Sequence, residues 1–92
     1  MQEVYMVSAV RTAIGVFGGK LKGVPAHRLA ASVLKEAVAR AGIDAGCIDE
    51  IIVGEVRNGE VSNMARVAQL LAGFPNTIPA YTVNRLCASS MQ

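Results

Sequence analysis

Ninety-two residues with nine basic and seven acidic side chains carry a formal net charge of +2, 52% hydrophobic and 17% charged residues, and a mean hydropathy of +0.39. A domain this small buries a limited share of its surface and ordinarily carries about a quarter charged residues, so the apolar excess marks a chain that packs against something else. The weak, dispersed charge and the scarcity of aromatics exclude a nucleic-acid footprint, and Arg11, Lys20, Lys35, Arg40 and Arg66 break every apolar run short of the ~20 residues that span a bilayer.

The start does not read as a secretory leader. Gln2 and Glu3 stand where a leader would be basic, and no cleavage site precedes Arg11, so the chain reads as cytoplasmic. Val4 to Val10 is nearly continuously apolar, which predicts a strand buried on both faces, as in a parallel sheet covered by helices. A loop follows, holding Gly15, Gly18, Gly19 and Gly23 with Lys20 and Lys22. Its G-x-x-G-G spacing differs from the G-x-G-x-x-G that brings a backbone against a pyrophosphate, which speaks against a phosphate cradle.

Pro25 suits the first turn of a helix, where its missing N–H costs nothing. Ala30, Val33, Leu34, Ala37, Val38 and Ala41 then recur on one helical face, Arg28, Ser32, Lys35, Glu36 and Arg40 lie elsewhere, and Gly42 supplies a left-handed stop. Cys47 falls in the turn Ala45-Gly46-Cys47-Ile48, between Asp44 and Asp49, a poor setting for a thiolate and better read as structural or incidental. Ile51 to Val56 is rich in β-branched residues and reads as a second strand, ended by Asn58-Gly59. Ser62 or Asn63 caps a second helix with Met64, Val67, Ala68 and Leu71 on one face, terminated by Gly73 and Pro75. After Pro79, Ala80 to Asn84 forms a third strand, and a helix is expected to open at Cys87 or Ala88.

The order βαβαβ implies an α/β fold with a layered α/β/α arrangement, a parallel sheet and right-handed crossovers. Such sheets bind ligands beyond the carboxyl ends of their strands, and the third strand delivers Cys87 to that rim. A helix N-terminus favours a thiolate, the reactive form of cysteine, and small Ala88, Ser89 and Ser90 leave room for backbone amides to approach an acyl group. The competing reading makes Cys87 a small buried hydrophobe at a strand end, and the residues alone leave both open. His27, two residues past Pro25, reads as structural or solvent-facing rather than as a base. Arg11 and Arg66 read as solvated or locally paired rather than as phosphate ligands. Two distant cysteines and one histidine build neither a disulfide framework nor a zinc site within this chain.

Ser8-Ala9-Val10-Arg11-Thr12-Ala13-Ile14-Gly15 with Phe17 and Gly18, Asn63-x-Ala65-Arg66, Pro79-Ala80-x-Thr82-Val83-Asn84 and Cys87-x-Ser89-Ser90 resemble, in order and spacing, successive landmarks of the thiolases. One departure is Val61-Ser62, where many thiolases carry Gly-Gln. The resemblance covers residue 4 to the last. It implies a thiolase-like fold of two similar halves, with residues 1–92 an incomplete N-terminal half-domain and Gln92 falling inside a helix just past the active-site turn. It further implies that Cys87 is the nucleophile accepting an acyl group from acyl-CoA, in condensation to acetoacetyl-CoA or thiolytic cleavage of 3-ketoacyl-CoA. No covalently bound cofactor is implied; coenzyme A thioesters are substrates, and no residue of this chain is assigned to hold them. The activating histidines, the second cysteine (which Cys47 does not match) and the coenzyme A loops belong to later parts of that fold. The expected partners are acyl-CoA substrates, the remainder of the polypeptide and further copies in a homodimer or homotetramer, with no nucleic acid and no membrane. The fragment alone is expected to be inactive. Two other readings stand beside this one: a thiolase-related condensing synthase, and a noncatalytic α/β assembly module folding alone.

Overall fold

The sequence pattern is strongest between Pro25 and Gly42, and the longest element lies there. In the computed structural model, which describes residues 2–57 and 59–92, helix α1 spans Ala26–Ala41. Pro25 sits one position earlier than expected, as the N-cap at φ −61° and ψ 147°, and its carbonyl accepts from the Arg28 and Leu29 N–H groups. Gly42 ends the helix at φ 70°, a left-handed conformation that only glycine adopts without cost, and its N–H returns to the Ala39 carbonyl. The six residues of the apolar face are all half-buried and the five polar ones all exposed. Glu36 and Arg40 pair along the exposed face at 2.7 Å.

Strand β1 is Ile51–Gly54, helix α2 is Met64–Leu71 and strand β2 is Ala80–Val83. The strands pair in parallel with Ile51 opposite Ala80 and Gly54 opposite Val83, so α2 is the crossover that parallel neighbours require. Beyond the strand ends the ladder continues, from Ile51 N–H to the Pro79 carbonyl at 2.9 Å and from Glu55 N–H to the Val83 carbonyl at 3.0 Å. Ile51, Ala65 and Ile78 form one buried cluster, and Ala31, Ala68 and Ala72 another; Leu34 and Phe74 pack against both. Ala65 and Ala68 are fully buried because a methyl group is all the space allows where α2 crosses the sheet and α1.

Four expectations need correction. Val4 to Val10 joins no ladder, and Val4, Tyr5, Met6 and Val7 are all exposed. A strand buried on both faces needs a neighbour at its edge and a cover above and below; the cover this segment finds is a shallow groove along the end of α1, lined by Ala37, Val38, Ala41 and Ile43. The buried face of α2 is rotated from the expected one: Met64, Ala65, Ala68 and Gln69 are buried while Leu71 is exposed. A polar residue thus occupies the core position that apolar periodicity assigned to leucine. The two strands also stop short of the expected Val56 and Asn84, at Gly54 and Val83; Asn84 leaves the ladder with its side-chain oxygen bonded to the Leu86 N–H. Finally, where a helix was expected to open at Cys87 or Ala88, the chain forms a single 3₁₀ turn, Ser89–Met91. The turn expected at Asn58-Gly59 lies partly outside the described residues, since Asn58 is not among them, and Gly59 has φ +79°.

Candidate functional site

The carboxyl end of β2 delivers the chain into a tight loop around Cys87. Asn84 opens it: its side-chain oxygen accepts from the Leu86 N–H at 3.0 Å, and its amide nitrogen donates to the Val56 carbonyl at 3.2 Å, tying the loop to the segment after β1. Leu86 is the one non-glycine described at positive φ, +52°. For a γ-branched residue that conformation costs on the order of 1–2 kcal/mol, and such strain persists only where the surroundings over-determine it.

Ser89 supplies much of that determination. It is 3% exposed, and its hydroxyl accepts from the Arg85 N–H at 2.8 Å and donates to the Leu86 carbonyl at 2.6 Å. The Ala88 and Ser89 N–H groups donate back to the Arg85 and Leu86 carbonyls, at 3.2 and 3.1 Å. These two amides are therefore engaged within the turn, contrary to the expectation that they face an acyl group. Beneath them lies Gly54, the last residue of β1. A Cβ there would fall 2.6 Å from the Ser90 nitrogen and 2.7 Å from the Ser89 carbonyl carbon, so only glycine lets the loop rest on the strand.

The result is an exposed Cys87 on a loop whose other members are pinned. Its thiol is accessible at the surface of these 92 residues. What the arrangement can do chemically is offer a thiol to an electrophile arriving from solvent at the carboxyl ends of two parallel strands, the rim where such sheets bind ligands.

A second polar network fixes β2 against α2. Asn63 caps α2 by accepting from the Arg66 N–H at 3.3 Å, donates to the Ala80 carbonyl at 3.1 Å, and accepts from the Thr82 hydroxyl at 2.9 Å. Thr82 in turn accepts from the Ala65 N–H at 3.2 Å. Gln69, fully buried, donates to the Pro75 and Ile78 carbonyls at 2.7 and 2.8 Å. Arg66 contacts the Gln69 amide oxygen and the Asn76 carbonyl at 3.0 and 2.9 Å. It is a clamp on the turn before β2, bonded to neutral oxygens.

The other candidates lie apart from this loop. Cys47 is exposed in the 3₁₀ turn Ala45–Cys47, whose N-cap Asp44 accepts from the Gly46 N–H. His27, in the first turn of α1, faces Glu60 at 3.7 Å. Arg11 donates to the Thr12 carbonyl and is exposed. Among the described residues no group of three or more His, Cys, Asp or Glu side chains could hold a metal ion, and no helix is long and apolar enough to cross a membrane.

Gly54 and Asn84 shape the site yet were not singled out in the sequence for it. The signal for Gly54 was a glycine inside a β-branched run, which marks a close backbone approach; for Asn84 it was an asparagine two residues before the turn it caps.

Comparison with known proteins bears on what this loop is for. A family model described as "Thiolase, N-terminal domain" matches residues 4–92. An acetyl-CoA acetyltransferase of Pseudomonas aeruginosa is 44% identical over 93 residues, covering 100% of this chain and 24% of that protein. A probable acetyl-CoA acyltransferase of Staphylococcus aureus is 42% identical over the same extent. The crystal structure of a Bacillus anthracis acetyl-CoA acetyltransferase superposes with a TM-score of 0.87 at 47% identity, over 94% of this chain and 22% of that one. The chain thus spans about a quarter of the length of the curated relatives it matches.

Proposed function

The chain belongs to the thiolase family, and on that premise we propose that it carries the acyl-accepting nucleophile of an acetyl-CoA acyltransferase, with Cys87 as that nucleophile. The observation supporting this most directly is the exposed Cys87 on a pinned loop directly behind the left-handed Leu86. In the first half-reaction the Cys87 thiolate attacks the carbonyl carbon of an acyl-CoA thioester. A new carbon–sulfur bond forms, the bond to coenzyme A breaks, and the departing thiolate takes up the proton that Cys87 gave to a base. In the second, a base takes a proton from the α-carbon of acetyl-CoA, that carbon attacks the acyl carbonyl, the bond to the Cys87 sulfur breaks and the departing thiolate takes up the proton, giving a 3-ketoacyl-CoA such as acetoacetyl-CoA; cleavage is the reverse. Splitting carbon–carbon exchange into two acyl transfers is the logic of covalent catalysis.

The chain's own candidates for that base are poor. His27 sits in α1 facing Glu60, and Cys47 lies in a turn before β1. Residues 1–92 are accordingly proposed to form the opening portion of an N-terminal half-domain and to act together with the remaining polypeptide, which supplies the base, the second cysteine and the coenzyme A contacts, in a cytoplasmic homodimer or homotetramer.

The decisive experiment uses the assembled enzyme. Acetyl-CoA is expected to protect Cys87, and not Cys47, from iodoacetamide, and Cys87→Ala is expected to lower turnover by at least about a thousandfold, the usual order for loss of a nucleophile. Undiminished turnover in that variant, or equal labelling with and without acetyl-CoA, would remove Cys87 from the reaction.

A further inference from the structure

We propose that Ser89 is the positioning residue for Cys87: its buried hydroxyl is a staple that holds Leu86 left-handed and so fixes the direction in which the thiol is presented. The proposal rests on the acyl-acceptor role of Cys87 for its functional meaning, but its physical basis is independent of that role.

Ser89 lies two residues past the cysteine, is 3% exposed, and spends its hydroxyl entirely on the backbone just before Cys87. One bond comes from the Arg85 N–H and the other goes to the Leu86 carbonyl, so the hydroxyl spans the Arg85–Leu86 segment in which the backbone turns left-handed. The Asn84 cap on the Leu86 N–H is exposed and competes with water, whereas the Ser89 bonds are shielded. Nothing about the leucine side chain favours the turn; it is 68% exposed and packs too little to stabilise a strained backbone. Gly54 completes the device from below, since close contact with the Ser89–Ser90 backbone keeps the staple from moving toward β1. Serine suits the position on two counts: its hydroxyl both donates and accepts, and its side chain is small enough for a loop resting on a strand.

The test uses the chain assembled with the remaining polypeptide, with Cys47 as a reference thiol in the same molecule. Leu86 is followed by its backbone φ in crystal structures of the parent and of each variant, the positive value being the left-handed signature. Thiol presentation is followed by the ratio of iodoacetamide labelling at Cys87 to that at Cys47. Ser89→Ala is expected to abolish the left-handed signature and to change the labelling ratio about fivefold or more, the population shift that follows loss of a buried hydrogen bond. Ser89→Thr, which keeps the hydroxyl, is expected to restore both. Amide protection at Ala65, in the separate Asn63–Thr82 network, reports whether the fold survives.

Retention of the signature and of the labelling ratio in Ser89→Ala would overturn the proposal. So would collapse of Ala65 protection in that variant, which would make Ser89 a general core residue, or failure of Ser89→Thr to restore either readout. Failure of the acyl-acceptor reading looks different: the staple behaves as described while acetyl-CoA leaves Cys87 of the assembled enzyme unprotected.

Discussion

At Gly54 a single methyl group decides whether the cysteine loop can sit where it does. Gly54→Ala would place a Cβ 2.6 Å from the Ser90 nitrogen and 2.7 Å from the Ser89 carbonyl carbon, and backbone atoms cannot swing aside as a flexible side chain can. The expected cost is about 1–3 kcal/mol from overpacking, read as a lower urea midpoint, together with weakened protection of the Ala88 and Ser89 amides. Gly46→Ala is the matched control. Its Cβ meets nothing closer than the Asp44 carboxylate oxygen at 3.4 Å, so it is expected to be neutral or to stabilise by roughly 0.4–1 kcal/mol through the unfolded state. Gln69 poses the opposite problem, a polar group that must stay. Gln69→Leu would fit by volume but remove the shortest donor to the Pro75 and Ile78 carbonyls, leaving them the longer bonds from the Ile78 N–H at 3.3 Å and the Arg66 guanidinium at 3.4 Å. Two hydrogen bonds at ~0.5–1.5 kcal/mol each are lost, so equilibrium unfolding should show a larger loss than for Leu70→Ala on the exposed side of the same helix.

The elements differ in how far their sequences foretold them, and the difference follows from which partners set each face. In α1 the stripe Ala30, Val33, Leu34, Ala37, Val38, Ala41 is self-consistent over about three turns and Gly42 marks the stop, so local pattern and final packing agree. In α2 they do not. Its apolar residues suggested a face through Val67 and Leu71, yet the crossover packs so closely on the sheet and on α1 that Ala65 and Ala68 form its centre, and Gln69 is drawn in by carbonyls ahead of β2. Those carbonyls, of Pro75 and Ile78, lie six and nine residues away, and no helical periodicity can register them. The cysteine's place at a strand end was legible from the strand that delivers it, whereas its exposure, the Ser89 staple and the Gly54 seat depend on backbone atoms brought together only by folding. Asn63 shows what such ties are worth. It caps α2, anchors Ala80 and orients Thr82 at once. Asn63→Ala should therefore cost more than the ~1 kcal/mol of an ordinary cap, while Asn63→Asp, keeping the acceptor near a positive helix end, should recover part of the loss in the same denaturation assay.

Over the whole molecule the apolar composition reappears as area. The chain exposes 6993 Å², against about 5,100 Å² for a folded monomer of its mass, an excess of roughly 1,900 Å² that matches the scale of a stable protein–protein interface. Much of it is ordered in one stretch, since Val4, Met6, Ile14 and Phe17 are each more than 85% exposed. Burying even half of that excess as apolar surface would contribute on the order of 20 kcal/mol before entropy and desolvation costs, more than the 5–15 kcal/mol that ordinarily separates folded from unfolded states. The relatives are about four times longer, and the proposal that further polypeptide covers this surface has a direct consequence. The 92-residue chain alone should bind an apolar fluorescent dye strongly and melt with poor cooperativity. Co-production with the rest of an assembled enzyme should suppress dye binding and sharpen the transition, with protection of the Val4–Val7 amides rising as the segment gains a ladder partner. A lone chain that melts sharply and binds no dye would instead favour an independently folding assembly module, and the exposed Cys87 would then be a reactive side chain on a domain that needs no partner to fold.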